Sequence, residues 1–247
     1  MAKRSCDALL AASGLIFLSP LLAVIAVLVY LCDRHNPFYL GQRVGRYGSL
    51  FRMVKFRSMR PDAWKTLVNS TAAGDKRITW IGGLLRRSKL DELPQLWNVF
   101  AGHMSLVGPR PQVPADASLY TEVERKMLAV RPGITDLASI IFADEGEILS
   151  DCVDPDLRYN QVIRPWKSRL ALLYVERHSL HLDFQIIRWT LLALLSRKRA
   201  IAAVGAELER WGCDPLLRRM AGRREPLLEY PPPGASEVVA RYQVTSA

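Results

Sequence analysis

Residues 8–31, ALLAASGLIFLSPLLAVIAVLVYL, run 24 positions without a charged side chain. Such a stretch belongs in lipid. As a straight helix it would reach about 36 Å, enough to cross a hydrocarbon core of roughly 30 Å. Lys3 and Arg4 precede it, as in a secretory signal, but the apolar run is long for one and no clear small-residue cleavage site precedes Asp33. Ser19-Pro20 stands in its interior. A helix-interior proline removes a backbone hydrogen bond and crowds the preceding turn, at a cost of about 3 kcal/mol, so the spacing predicts a kink or break there. Lys3 and Arg4 on one side, with Arg34, Arg43 and Arg46 on the other, draw both ends toward the cytoplasm. A re-entrant hairpin satisfies both ends, and a kinked transmembrane helix is the competing form.

The whole chain has 247 residues, 49% of them hydrophobic, and a net charge of +10. It is long enough to bury a core beside the membrane segment. The positive balance implies an anionic partner: nucleic acid, anionic lipid or a phosphorylated substrate. No helix-turn-helix, zinc or RNA-binding motif supports the first. Cys6, Cys32, Cys152 and Cys213 lie too far apart for metal-ligand spacing or a disulfide scaffold, and read as reduced thiols.

Beyond the apolar run, residues 38–59, FYLGQRVGRYGSLFRMVKFRSM, form short apolar runs around Gly45 and Gly48, the pattern of a hairpin. Lys55 and Arg57 alternate around Phe56, which puts both cations on one face, whether for a ligand or for solvent. Residues 78–87, ITWIGGLLRR, read as a short helix with a basic end. It leads into Ser88-Lys89-Leu90-Asp91-Glu92. One helix can start near Pro94, with the acidic pair just before it. Alternatively Ser88 caps a longer helix with Asp91 in a capping box. Helix capping is the plain explanation of the two carboxylates. Arg110 is held between Pro109 and Pro111, which limit the backbone and pre-position a guanidinium suited to bidentate phosphate contacts, or leave it solvated in an exposed turn. Arg131-Pro132-Gly133 is a second turn of that type.

Residues 159–177 and 182–199 read as two helices with apolar positions recurring at three and four. Trp166 and Trp189, with Lys167, Arg169, Arg188 and Arg197, suit helices in the headgroup region, and equally helices packed on a core. The expected division is a membrane hairpin over 1–35, a cytoplasmic catalytic domain over 36–200, and a partly disordered accessory tail over 201–247.

The blocks KFRSM from Lys55, SKLDELPQLWNVFAGHMSLVGPRP from Ser88 and RPGIT from Arg131 resemble the monotopic phosphoglycosyl transferases, the bacterial sugar transferases. The resemblance runs from the membrane segment to about Leu195, in block order, and is to the small, minimal form. It implies a mainly α fold with a small β-hairpin element: a monotopic membrane protein with a re-entrant helix broken at Ser19 and Pro20, and interfacial amphipathic helices. It implies a catalytic dyad in which Asp91 attacks the β-phosphate of a UDP-sugar, releases UMP and carries the phosphosugar to polyprenyl (undecaprenyl) phosphate. Glu92 has a supporting role. It also implies Mg2+ near Asp91, phosphate contacts from Arg86 and Arg110, and further candidates in Lys55, Arg57 and Arg131, with Pro109 and Pro111 framing Arg110. The implied place is the cytoplasmic face of a bacterial inner membrane, with anionic lipid as a partner and no nucleic acid. His103 departs from the pattern, since many relatives carry an acidic residue there.

Overall fold

The computed structural model describes residues 2–63, 68, 70–150 and 152–241. Its first helix, α1 (Ala2–Asp33), is among the described residues the one element long and apolar enough to cross a membrane. The helical segment is continuous from Ala2 to Asp33 and includes Pro20. Proline at position 20 leaves the Ile16 carbonyl without its usual donor, and the Ser19 hydroxyl donates to that oxygen at 2.8 Å. The local substitute removes the unsatisfied group that would otherwise favour opening the helix.

Both ends of α1 are tied to the rest of the chain. Strands β1 (Phe38–Val44) and β2 (Leu50–Phe56) form the expected antiparallel hairpin. Just past β2, Arg57 grips Asp33, with both guanidinium contacts at 2.5 Å. Ile25 and Val29 pack with Phe56 and with Ile81 and Leu85 of α2 (Trp80–Arg87). The opposite end meets α3 (Gln95–Phe100), whose last carbonyls, Val99 and Phe100, accept from Arg4 at 2.6 and 2.7 Å. A cation there complements the negative end of that helix. Asp7 accepts from the Ser105 hydroxyl and the Leu106 amide, both in β3 (Ser105–Val107). Between these anchors Ile16, Phe17, Val24 and Val27 are exposed.

The remaining elements are α4 (Pro114–Ser118), α5 (Glu122–Arg125), β4 (Gly133–Thr135), α6 (Leu137–Ile141), α7 (Glu145–Ile148), α8 (Pro155–Arg158), a π-helical turn at Tyr159–Ile163, α9 (Arg164–Arg177), α10 (Leu180–Leu195), α11 (Arg197–Arg210) and α12 (Pro215–Ala221). RPGIT is therefore more than a turn, because β4 pairs in parallel with β3. The pairing brings two glycines together backbone to backbone. A Cβ on Gly133 would lie 2.1 Å from the Gly108 nitrogen, and one on Gly108 would lie 2.4 Å from the Arg131 carbonyl oxygen.

Two expectations about the second half are corrected. α9 is not interfacial: Trp166, Leu170 and Tyr174 are buried in the main core with Leu137, Ile140 and Ile141 of α6. α10 does keep an exposed apolar face, with Phe184, Leu191, Leu194 and Leu195. The segment after residue 200 is integral rather than accessory. Val204, Leu208, Leu217, Met220 and Leu227 enter the same core, since each buries apolar surface worth roughly 1.5–3 kcal/mol. Residues 223–241 then cross back over the body, with the Tyr230 amide on the Gln161 carbonyl, Trp166 Nε1 on the Leu228 carbonyl, and the Thr121 hydroxyl on the Pro233 carbonyl. Residues 242–247, the end of the expected tail, lie outside the described residues.

Candidate active site

The site begins with the way α2 ends. Thr79 caps its start, accepting from the Gly82 amide at 3.0 Å. Gly82 sits so close to the chain leaving β2 that a Cβ would meet the Ser58 carbonyl oxygen at 2.0 Å. Ser88 closes the helix: its hydroxyl donates to the Leu84 and Leu85 carbonyls at 2.9 and 3.1 Å. It therefore terminates α2 and caps no following helix. Lys89 then takes a left-handed conformation, φ 58°, which costs a non-glycine residue about 1 kcal/mol or more. That reversal turns Leu90–Glu92 into a 3-10 turn directly ahead of Pro94 and α3, the first of the two arrangements expected.

Asp91 and Glu92 thus leave one turn into different surroundings. Glu92 accepts from Arg110 at 2.5 and 3.1 Å through both guanidinium arms, and from Lys55 Nζ at 2.9 Å. Burial alone would raise its pKa, but Arg110 and Lys55 outweigh burial and hold it well below the usual carboxylate range. Asp91 is 6% exposed, and its Oδ1 is buried without a partner. Burial, then the charge of Glu92, raises its pKa, while Lys55, Arg86 and Lys89 pull the other way. Burial and the charge of Arg110 push the Lys55 ammonium down to about 8. Glu92 raises Arg110 above its ordinary value.

Among the residues expected from sequence, Asp91, Glu92, Lys55 and Arg110 come together, and Arg86 is near enough for its charge to act on Asp91. Pro109 and Pro111 are buried on either side of Arg110, and the Pro109 carbonyl accepts from the Gly133 amide at 3.0 Å. The RPGIT block thereby holds the arginine loop. Arg57 and Arg131 have other partners: Arg57 binds Asp33, and Arg131 Nε donates to the Gly102 carbonyl at 2.9 Å. His103 stacks on Phe51.

Two polar residues of α3 were not singled out from sequence. Asn98 reaches β2, accepting from the Val54 amide and donating to the Arg52 carbonyl, each at 2.8 Å, and so docks α3 on the strand. Gln95 is fully buried with neither amide atom partnered. The signal available was spacing: positions 91, 95 and 98 are i, i+4 and i+7, one face of a helix.

A divalent cation fits this chemistry in a limited way. Among the described residues no three His, Cys, Asp or Glu side chains cluster as a metal cage. The orphaned Asp91 Oδ1 offers one hard oxygen ligand, and Mg2+ commonly takes one or two carboxylates and completes its shell with water and substrate phosphate.

A buried carboxylate with one unpartnered oxygen, within reach of the charges of Lys55, Arg86 and Lys89, has the chemistry of a nucleophile for group transfer at a phosphate. The model of the bacterial sugar transferase family matches residues 1–197, and the chain belongs to that family, whose members are phosphoglycosyl transferases. The UDP-glucose:undecaprenyl-phosphate glucose-1-phosphate transferase of Xanthomonas campestris pv. campestris is 38% identical over 206 residues, 81% of this chain and 40% of its own length. The exopolysaccharide production protein ExoY of Rhizobium meliloti (strain 1021) is 39% identical over 155 residues, 57% of this chain and 69% of its own. The exopolysaccharide production protein PSS of Rhizobium leguminosarum bv. phaseoli is 37% identical over 207 residues, 79% of this chain and 96% of its own.

Proposed function

We propose that this enzyme moves a phosphosugar from a UDP-sugar to polyprenyl phosphate, releasing UMP, by two displacements through Asp91. The observation that carries the reading is the split environment of the two adjacent carboxylates: Glu92 saturated by Arg110 and Lys55, Asp91 Oδ1 buried and unpartnered. An Asp91 oxygen attacks the β-phosphorus. The bond from that phosphorus to the bridging oxygen breaks, and UMP departs with the electron pair. An oxygen of the lipid phosphate then attacks the same phosphorus, the acyl phosphate opens, and Asp91 is restored. Glu92 holds Arg110 and Lys55 where the diphosphate charge lies. Mg2+, held by Asp91 and the phosphate oxygens, would supply charge neutralisation for the leaving group. The Xanthomonas relative and the Escherichia coli (strain K12) protein of the same name, both UDP-glucose:undecaprenyl-phosphate glucose-1-phosphate transferases, support the donor and acceptor classes.

The membrane arrangement we propose is monotopic, with both ends of α1 on the cytoplasmic side of the inner membrane against anionic lipid. The support is that one body holds both ends, Arg4 and Asp7 at α3 and β3, Asp33 at Arg57. A helix crossing the bilayer would carry one of those ends away from its partners. Cysteine labelling at Lys3 and at Asp33 in cells tests it, and a periplasmic signal at either would exclude it.

The reaction is tested with purified, lipid-reconstituted protein, a panel of UDP-sugars and UMP detection. A stoichiometric burst of UMP without lipid acceptor, and an adduct on the peptide carrying Asp91 after rapid quenching, are expected. Turnover with no burst would favour direct attack by the lipid phosphate.

A further inference from the structure

The reaction described so far leaves one cation at the nucleophile without a task. Lys89, two residues before Asp91, is exposed, and its ammonium has neither a hydrogen bond nor an ion pair among the described residues. We propose that Lys89 is a further catalytic residue: its ammonium meets the non-bridging oxygens of the phosphoryl group as that group passes to and from Asp91, in both displacements. The assignment rests on the two-step transferase reading above.

The first argument is position. The backbone of Lys89 is pinned on both sides, since its amide donates to the Arg86 carbonyl at 3.3 Å and its carbonyl accepts from the Glu92 amide at 3.2 Å. The 3-10 turn Leu90–Glu92 hangs from this residue. Leu90 packs inward on the cluster of Ile81, Leu85 and Phe56, while Lys89 stays outside. Asp91 follows, buried, with Oδ1 unpartnered. The charge of Lys89 acts on that carboxylate, as do those of Lys55 and Arg86. A phosphorus attached to Asp91 therefore lies within the field of Lys89.

The second argument is that α2 gives the ammonium nothing to do. A cation just past a helix ordinarily serves the free carbonyls at its C-terminus. Here the Ser88 hydroxyl donates to those of Leu84 and Leu85, Arg87 Nε to that of Gly83 at 3.3 Å, and the Lys89 amide to that of Arg86. Lys55 and Arg110, in contrast, are committed to Glu92. Glu145 also feels the charge of Lys89, but it is already paired with Lys167. Lys89 is left free to follow a substrate.

The third argument is chemical. Lys89 is left-handed, φ 58° and ψ 14°, where glycine is more comfortable. A non-glycine residue held in that region beside a reacting group fits strain kept for function. The function needed is charge. Asp91 approaching a phosphate works against repulsion between anions, and so does the lipid phosphate approaching the phosphorus that Asp91 carries. A cation on the Asp91 side of the phosphorus serves both steps, whereas one at the departing UMP serves only the first. Lys89 contributes charge alone, and no bond to it forms or breaks.

The test uses the full-length protein reconstituted in lipid, with a UDP-sugar that wild type accepts. Two rates are read at low salt and again at high salt: the UMP burst without acceptor, and discharge of the adduct when polyprenyl phosphate is added. Lys89→Gln and Lys89→Gly should slow both by about tenfold, less than a buried donor would give because the lysine is exposed and screened. Lys89→Arg, which keeps a cation, should recover most of that loss. The deficit of Lys89→Gln should shrink several-fold between low salt and about 0.5 M. Lys89→Gly should unfold no earlier than wild type on heating, which separates the charge from the fold. Wild-type rates in Lys89→Gln and Lys89→Gly would overturn the proposal. So would a deficit that Lys89→Arg shares in full or that salt leaves unchanged, since the role would then be structural. Slowing of UMP release alone would move the lysine to the leaving group and overturn it as well. Wild-type protein that shows no burst would instead sink the two-step reading itself, before any variant is compared.

Discussion

The arginine–carboxylate pairs Arg164–Glu124 and Arg110–Glu92 are finished to different degrees. Glu124 and Arg164 join α5 to α9. Glu124 Oε1 accepts from Arg164 Nε at 3.0 Å and from the Ser168 hydroxyl at 2.6 Å, and Oε2 accepts from Arg164 Nη2 at 2.5 Å and from the Thr121 amide at 3.1 Å. The remaining guanidinium arm goes to Asn160 at 3.0 Å, and Nη2 also reaches the Leu119 carbonyl at 2.6 Å. Every charge is closed. Around Arg110 the same chemistry is left open, because Glu92 is saturated while its neighbour Asp91 keeps one buried oxygen without a donor. A closed network fixes geometry. An open one stores an unsatisfied group that a substrate or cation can satisfy.

The sharpest way to break the comparison is Asp91→Asn. UMP release should fall by about 10⁴-fold, or ~5.5 kcal/mol of transition-state stabilisation, if Asp91 is the nucleophile. Stability should hold or rise, since burial disfavours the charged carboxylate that asparagine removes. Turnover assays and thermal unfolding of one preparation read both. Normal turnover would sink the covalent mechanism.

Glu124→Ala should show the opposite profile. Removing one partner of a closed pair leaves Arg164 buried and unpaired, at a cost of about 3–5 kcal/mol. The loss appears in denaturant unfolding, while the protein that remains folded keeps its kcat. A variant as stable as wild type would mean that the pair contributes little.

Arg110→Lys is a smaller change at the open site. The planar fork holding both Glu92 oxygens becomes a point charge, and kcat/KM should drop by roughly 10–100-fold. The exposed Arg224 is the control, and Arg224→Lys should have no effect. Equal activity in the two variants would reduce Arg110 to a loop residue.

The smallest effect is in pH. Lys55 is pushed down to about 8 from 10.5, so it loses its proton, and with it a cation beside Glu92, as pH rises through 8. Affinity for the donor should weaken several-fold above that pH. Stability moves the other way. Between about 8 and 10.5 the unfolded chain binds more protons at this lysine than the folded one, so its contribution to stability rises with pH. Lys55→Arg should move the alkaline limb of kcat/KM out of range, because arginine stays charged. A limb that persists near 8 belongs to another group.

Part of this was legible in the order of residues alone. The apolar run of α1, the hairpin of β1 and β2, the short basic-ended α2 and the acidic pair before Pro94 are local patterns, written by hydropathy period, turn residues and proline placement within about ten positions. The nearness of Lys55 and Arg110 to the dyad came through resemblance rather than spacing. Tertiary structure decided the partners: that Glu92 takes Arg110 and Lys55 while Arg57 takes Asp33, that Trp166 is buried, that Ser88 closes α2, and that residues 201–241 pack into the core. Periodicity says which face of an element is apolar, but a lysine or arginine at any of these positions reads alike until packing sets which carboxylate it meets, and how much water is left between them.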